Sequence, residues 1–286
     1  SGDSTNRASG AVQVSNQDGS DIDHLRTLPY EPIERFGDAV AFGEGFLAVG
    51  IVSADAGATD SAGAVQIYET QAGEWVATDR LFSPAPQPGS YFAFKLSASG
   101  DTLAVGERST SQIHIYDKST GSWGRRATLN SANGNTMSFA LSGDTLAIGD
   151  RGNDDIDIDA GSVSVYRKNS SWVLEQTFSA ADLVAQDGFG ASVALNGDTL
   201  VVGSPGADGV AGDAGAAYRF TRSGSTWSES QKIAPGALAE NGAFGSSTSF
   251  DGTTIAVGAP GLLGDDGSTY FFDSAGTLQA SFVGAS

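Results

Sequence analysis

The chain has 286 residues, 40% of them hydrophobic, enough for a sizeable core but with no apolar run of the roughly 18 residues a membrane helix needs. Its formal net charge of −19, with 25 Asp and 9 Glu against 4 Lys, argues against nucleic acid and against membrane insertion or binding to anionic membranes. There is no cysteine, so disulfides, thiol chemistry and cysteine-held metals are excluded.

The opening SGDSTNRASG lacks a signal peptide's charged and apolar regions, and the reading taken is a secreted, cell-surface protein whose export signal has been removed. Residues 9–28, SGAVQVSNQDGSDIDHLRTL, then read as two strands. They match AGAVQIYETQAGEWVATDRL at 62–81, but nothing ahead of them corresponds to the two strands expected at 36–51.

From Phe36 onward one phrase returns five times, as FGDAVAFGEGFLAVG, FAFKLSASGDTLAVG, NTMSFALSGDTLAIG, FGASVALNGDTLVVG and FGSSTSFDGTTIAVG. The glycines that close it, Gly50, Gly106, Gly149, Gly203 and Gly258, are 43 to 56 residues apart. Each repeat predicts four strands. The first starts at the Phe-Gly slot, and a Gly-containing turn leads to a second that is nearly all apolar, as burial on both faces requires. A loop of variable length precedes a third strand ending in Tyr68, Tyr116, Tyr166, Phe220 or Phe272. The fourth strand opens at Trp75, Trp123, Trp172 or Trp227, and less clearly at Thr277. Tryptophan at one slot in four repeats predicts packing between units.

Four up-and-down strands repeated at this period predict an all-β chain: a β-propeller of four-stranded antiparallel blades. The expected blades are 36–91, 92–134, 135–188, 189–243 and 244–286, with a half blade at 9–28, in one domain spanning 1–286. Five and a half blades leave three arrangements open. The chain is part of a larger set of blades, or the half blade packs on an edge, or it completes a neighbouring subunit.

Phe-Gly at the start of the first strand, VGAP at 257–260 and GAAYRF at 215–220 resemble FG-GAP repeats, the blades of integrin alpha-subunit propellers and of many bacterial surface proteins. The resemblance covers nearly the whole chain and implies a non-enzymatic adhesion or binding role. It departs at Phe92-Ala93 and Asn135-Thr136, where Phe-Gly is lost. Calcium-binding members carry a DxDxDG-like loop between strands one and two. The turns here, such as LNGDT and FDGTT, do not supply one, so those sites are not carried over.

Loop length varies most between strands two and three, at 51–62, 150–160, 204–214 and 259–266. Variable loops on a rigid scaffold are where binding usually lives. The candidate ligand-binding residues are therefore Asp55, Asp60, Asp154, Asp155, Asp157, Asp159, Asp208 and Asp213. If GNDDIDIDAG runs extended, Asp155, Asp157 and Asp159 share one side and would suit a hard cation, Ca2+ being the natural candidate, although no cofactor is required. His114 reads as filler in a strand, and no Ser-His-Asp arrangement, His pair or phosphate-cradling loop is present.

The function expected is an extracellular, non-enzymatic module that holds a protein or glycan ligand on its Asp-rich loop face. Two alternatives stand beside it: a subunit of a surface array joined by self-association through the N-terminal half blade, and a polysaccharide-active enzyme using loop carboxylates.

Overall fold

A computed structural model describes residues 11–15, 21–25, 35–118, 121–130, 137–208, 214–235, 242–261 and 267–284. All regular structure among them is β-strand, in five four-stranded antiparallel sheets and one two-stranded sheet. In each four-stranded sheet the strands lie side by side in chain order, the up-and-down blade of a β-propeller. The chain divides into two compact units, residues 1–129 and 130–286.

The first unit begins with a hairpin, β1 (Val12–Ser15) and β2 (Asp21–Leu25). Blade 1 follows as β3 (Phe36–Gly43), β4 (Phe46–Ile51), β5 (Ala64–Gln71) and β6 (Glu74–Phe82). Blade 2 is β7 (Phe92–Ser99), β8 (Thr102–Glu107), β9 (Gln112–Asp117) and β10 (Gly124–Asn130), ending at the boundary. The second unit holds blade 3, with β11 (Met137–Ser142), β12 (Thr145–Asp150), β13 (Ser162–Lys168) and β14 (Trp172–Phe178). Blade 4 is β15 (Ser192–Asn196), β16 (Thr199–Ser204), β17 (Ala216–Ser223) and β18 (Thr226–Ile233). Blade 5 is β19 (Ser247–Phe250), β20 (Thr254–Ala259), β21 (Ser268–Asp273) and β22 (Leu278–Val283).

The second strands β4, β8 and β12 are buried at every position, and β16 at all but its first. That is why their sequences are apolar rather than alternating. Strand β20 differs, with only every second residue buried.

The repeated Phe-Gly is a joint between blades. Phe189 is fully buried and packs edge-on against Tyr218 and Phe220 of its own third strand, at 5.5 and 5.8 Å. Its backbone N–H reaches back to donate to the Ala160 carbonyl of blade 3 at 2.9 Å. Phe244 repeats both contacts, with N–H to the Ala214 carbonyl at 3.0 Å and rings on Tyr270 and Phe272. The glycine after each Phe has positive φ, +88° at Gly190 and +97° at Gly245. Its carbonyl accepts a hydrogen bond from a serine of the preceding blade, Ser138 to Gly190 at 2.7 Å and Ser192 to Gly245 at 2.8 Å. Directly across the ladder from those serines lie Gly149 and Gly203. A Cβ on either would sit 2.1 or 1.9 Å from the same carbonyls. The closing glycine of the second strand and the glycine of Phe-Gly are thus one contact, where two backbones touch.

The N-terminal hairpin follows the same rule. Val12, Val14 and Leu25 pack against Leu47, Val49 and Ile51 of blade 1. A Cβ on Gly37 would meet Val12 Cγ2 at 3.1 Å, just as one on Gly190 or Gly245 would meet the start of a preceding third strand at Ser162 or Ala216. Strands β1 and β2 therefore stand where the third and fourth strands of a blade before blade 1 would stand.

The sequence reading is corrected in blades 4 and 5, where β15 and β19 begin at Ser192 and Ser247, three residues after Phe189 and Phe244, and again in blade 2. Trp123 lies one residue ahead of β10 rather than opening it, and its ring packs on Phe46 of blade 1 at 4.7 Å. The degenerate slot Asn135-Thr136 lies outside the described residues.

Candidate functional site

The loops between second and third strands leave each blade at the end where the blade-to-blade connections also run. In the second unit, the β12–β13 loop is tied down along its length. The Asn153 N–H donates to the Asp150 carbonyl at 3.3 Å, and the Gly161 N–H to the Asn153 carbonyl at 3.0 Å. Buried Asn153 also clasps Asp155, accepting its N–H at 3.0 Å and donating to its carboxylate at 3.1 Å. Asp154 Oδ1 accepts the Asp159 N–H at 2.7 Å, and Asp157 Oδ1 the Ile158 N–H at 2.8 Å.

The expectation of an extended GNDDIDIDAG is corrected by this geometry. The segment passes through bends and a turn, and Asp159 holds φ at +52°. Ser61 holds the same φ in blade 1 at +51°, and both residues precede Ala-Gly, so the conformation belongs to the repeat. Asp155, Asp157 and Asp159 are not aligned on one side of a strand. Among the described residues no group of three or more His, Asp or Glu side chains is placed to hold a metal ion.

What this anchored loop presents is apolar as well as acidic. Ile156 and Ile158 are 55% and 64% exposed, between the exposed Asp154, Asp155, Asp157 and Asp159. The connection from blade 3 to blade 4 braces it, with Gln186 N–H donating to the Ile158 carbonyl at 2.8 Å and Gly188 N–H to Asp159 at 3.0 Å. On that connection Val184 is also exposed, while Asp187 beneath it is buried and accepts the Val184 N–H at 2.9 Å. Burial pushes the Asp187 carboxyl up, and the nearby charge of Asp208 adds to this. Asp208 is itself exposed, its carbonyl accepting from Lys232 at 3.4 Å. Lys232 lies 5.3 Å above the Tyr218 ring and pairs with Asp182 at 2.6 Å. Burial opposes ionisation of Asp182, but hydrogen bonds from Lys232 and Tyr218 outweigh it and hold the carboxyl below its ordinary range.

In the first unit Asp55 and Asp60 are exposed. Asp55 Oδ1 accepts the Ser61 N–H at 2.7 Å and so shapes its own loop. Asp213 lies outside the described residues. The sequence reading missed a cavity of about 410 Å³ at this same loop end, lined by Arg35, Asp38, Val52, Tyr91, Phe94 and Arg108. The available signal was position: Arg35 and Tyr91 each precede a Phe slot, and Val52 and Arg108 each follow a second strand.

His114 is a core residue with polar partners. It is fully buried, with Nε2 2.9 Å from the Glu107 carboxylate and Nδ1 3.1 Å from Thr128 Oγ1. Ser83 donates to the same carboxylate oxygen at 3.0 Å. Burial opposes ionisation of Glu107, yet the hydrogen bonds from His114 and Ser83 outweigh it and lower its carboxyl below the usual value. With both side chains 2% exposed or less, the pair is closed to substrate and belongs to the core.

The model of the family described as the FG-GAP repeat matches residues 172–220 and 227–272. The chain is a β-propeller, and two of its stretches match the FG-GAP repeat. Each match runs from the Trp in one blade's fourth strand to the aromatic in the next blade's third strand. The FG-GAP unit is thus offset by one strand from the blade and spans the Phe-Gly joint. Among curated protein sequences, no match is found. A solved structure from Bacteroides fragilis NCTC 9343, described as a putative 6-phosphogluconolactonase, is similar with a TM-score of 0.57 and 11% identity. The similarity covers 86% of this chain and 71% of that one, and at this identity it speaks for the fold alone.

Proposed function

We propose that this propeller is a non-enzymatic, extracellular binding module that holds a protein ligand at the loop end of its blades. The observation that carries the reading is the exposure of Ile156 and Ile158 on a loop fixed by hydrogen bonds at both ends. Isoleucine held in water by an ordered backbone leaves a gain to be made by whatever covers it, about 1.5–3 kcal/mol for each such side chain on full burial. The rim of Asp154, Asp155, Asp157 and Asp159 selects for an apolar segment flanked by Lys or Arg. Rigidity favours binding too, because the loop loses little freedom when it is covered.

Panning a displayed peptide library on the protein tests this. The expected binders combine apolar residues with Lys or Arg, and lose affinity for Ile156→Ser/Ile158→Ser while that variant keeps its melting temperature. Binders that hold the variant as well as the parent would remove this loop from the site.

A second reading, a glycan bearing carboxylate or sulfate, is favoured by one observation, the presence of Arg35, Arg108 and Tyr91 in the lining of the first unit's cavity, where Arg35 also pairs with Asp38 at 3.0 Å. A glycan array with Arg108→Ala as control separates it from the first.

A further inference from the structure

Blade 5 carries an empty copy of the joint that Phe-Gly fills elsewhere. Its second strand β20 leaves Ala256 and Gly258 partly exposed, whereas the corresponding Val201 and Gly203 of β16 are buried. Ser247 faces Gly258 across the ladder as Ser192 faces Gly203 and Ser138 faces Gly149. In blades 3 and 4 those serines donate to the carbonyl of an incoming Phe-Gly glycine. Among the described residues Ser247 has no such acceptor.

The next layer out agrees. Gly161 and Gly215 lie against the backbones of Phe189 and Phe244, where an added Cβ would come within 2.0 and 2.2 Å of a carbonyl oxygen. At Gly267, the corresponding residue of blade 5, the nearest atom to such a Cβ is the blade's own Pro260 carbonyl at 3.2 Å. In the fourth strand, Ile233 pairs with Ala217 and is 2% exposed, while its counterpart Phe282 pairs with Thr269 and is 65% exposed. A cavity of about 590 Å³ lies here, lined among others by Ser247, Gly258, Gly267, Thr269, Phe282 and Val283.

We propose that this cavity is a docking socket for a β-hairpin whose first strand opens with Phe-Gly, supplied from outside residues 1–286. The face continues the interface already formed from blade 3 to 4 and from blade 4 to 5, and the occupant's chemistry is set by those two examples. The Phe ring enters beside Gly267 and Phe282, and the following glycine lets its backbone reach Gly258 while its carbonyl accepts from Ser247. The proposal is independent of the ligand at the loop end.

A labelled peptide with this chain's own residues 187–204, DGFGASVALNGDTLVVGS, is the probe, read by fluorescence anisotropy against the intact protein. Saturable binding is expected. The peptide's Phe189→Ala form should lose roughly a hundredfold in affinity, as the removal of a buried Phe implies. Its Gly190→Val form should fail to bind, and Ser247→Ala in the protein should weaken binding several-fold. Absence of binding by the parent peptide, or equal binding by the altered peptides, would overturn the socket whatever the stability of the protein variants.

Discussion

Gly161 and Phe189 touch backbone to backbone: a Cβ on Gly161 would lie 2.0 Å from the Phe189 carbonyl oxygen, and Gly161 holds φ at +92°. The contact joins the end of blade 3's long loop to the first residue of blade 4. Gly161→Ala therefore meets both backbone strain and a collision with atoms that have no rotamer to move to. A loss of about 3 kcal/mol or more is expected. Gly197→Ala is the control, since φ there is +56° but nothing lies within 4 Å, and strain alone should cost about 1 kcal/mol. Urea unfolding followed by tryptophan fluorescence reports on this unit through Trp172 and Trp227; equal losses in the two variants would contradict the joint.

The Glu107–His114 pair is expected to make the first unit acid-sensitive. The carboxyl of Glu107 is lowered from 4.5 in the folded chain, so the unfolded chain takes up the proton first as pH falls. Its stabilisation is complete above the ordinary value and is lost as pH falls through the lowered one. Glu107→Gln should flatten the fall in stability below about pH 4.5 relative to the parent. His114→Leu, which leaves the buried carboxylate without its main partner, should cost about 3–5 kcal/mol at neutral pH. An acid limb unchanged in Glu107→Gln would show that the pair does not control it.

Calcium is expected to leave the β12–β13 loop unchanged. The carboxylates of Asp154, Asp155 and Asp157 each accept a hydrogen bond from within the loop, and a shared cation would have to displace these. A hard cation of this type seeks about six to eight oxygens. Calorimetric titration with Ca2+ at neutral pH should show no saturable heat, and the melting temperature should not move. A site in the micromolar range that vanishes in Asp155→Asn/Asp157→Asn would support the sequence-based expectation of calcium instead.

The blades were legible because one constraint repeats. A second strand buried on both faces is apolar along most of its length, and a backbone contact such as Gly203 on Gly245 admits no side chain, so both leave marks at fixed intervals. The half blade was legible for the same reason, since AVQV at 11–14 keeps the pattern of AVQI at 64–67. The loop end was harder to read. Ile156 and Asp155 look alike whether the loop is extended or turned, and the difference is made by Asn153, a buried residue whose side chain clasps Asp155. The Arg35, Tyr91 and Arg108 cavity draws one or two residues from each of several segments, and no local pattern records that. The open face of blade 5 was hidden as well, because its sequence is that of a covered one.

Ala93 shows how the chain tolerates losing a glycine at the joint. It stands where Gly190 and Gly245 stand, keeps a positive φ of +70°, and is fully buried beside Phe92 and Leu96. An Ala in that conformation is strained by about 1–2 kcal/mol. Replacing it by glycine relieves the strain but removes a buried methyl, worth about 0.8 kcal/mol, and frees the unfolded chain by about 0.4–1 kcal/mol. The terms nearly cancel, so Ala93→Gly should change stability by less than about 1 kcal/mol in either direction. Ala93→Val keeps the burial but places a β-branched residue at positive φ, and should cost about 3 kcal/mol. The decisive measurement is the order of the three by chemical unfolding. Val equal to Ala would mean that the left-handed backbone at this slot relaxes freely, and that glycine at the other joints is kept for close approach alone.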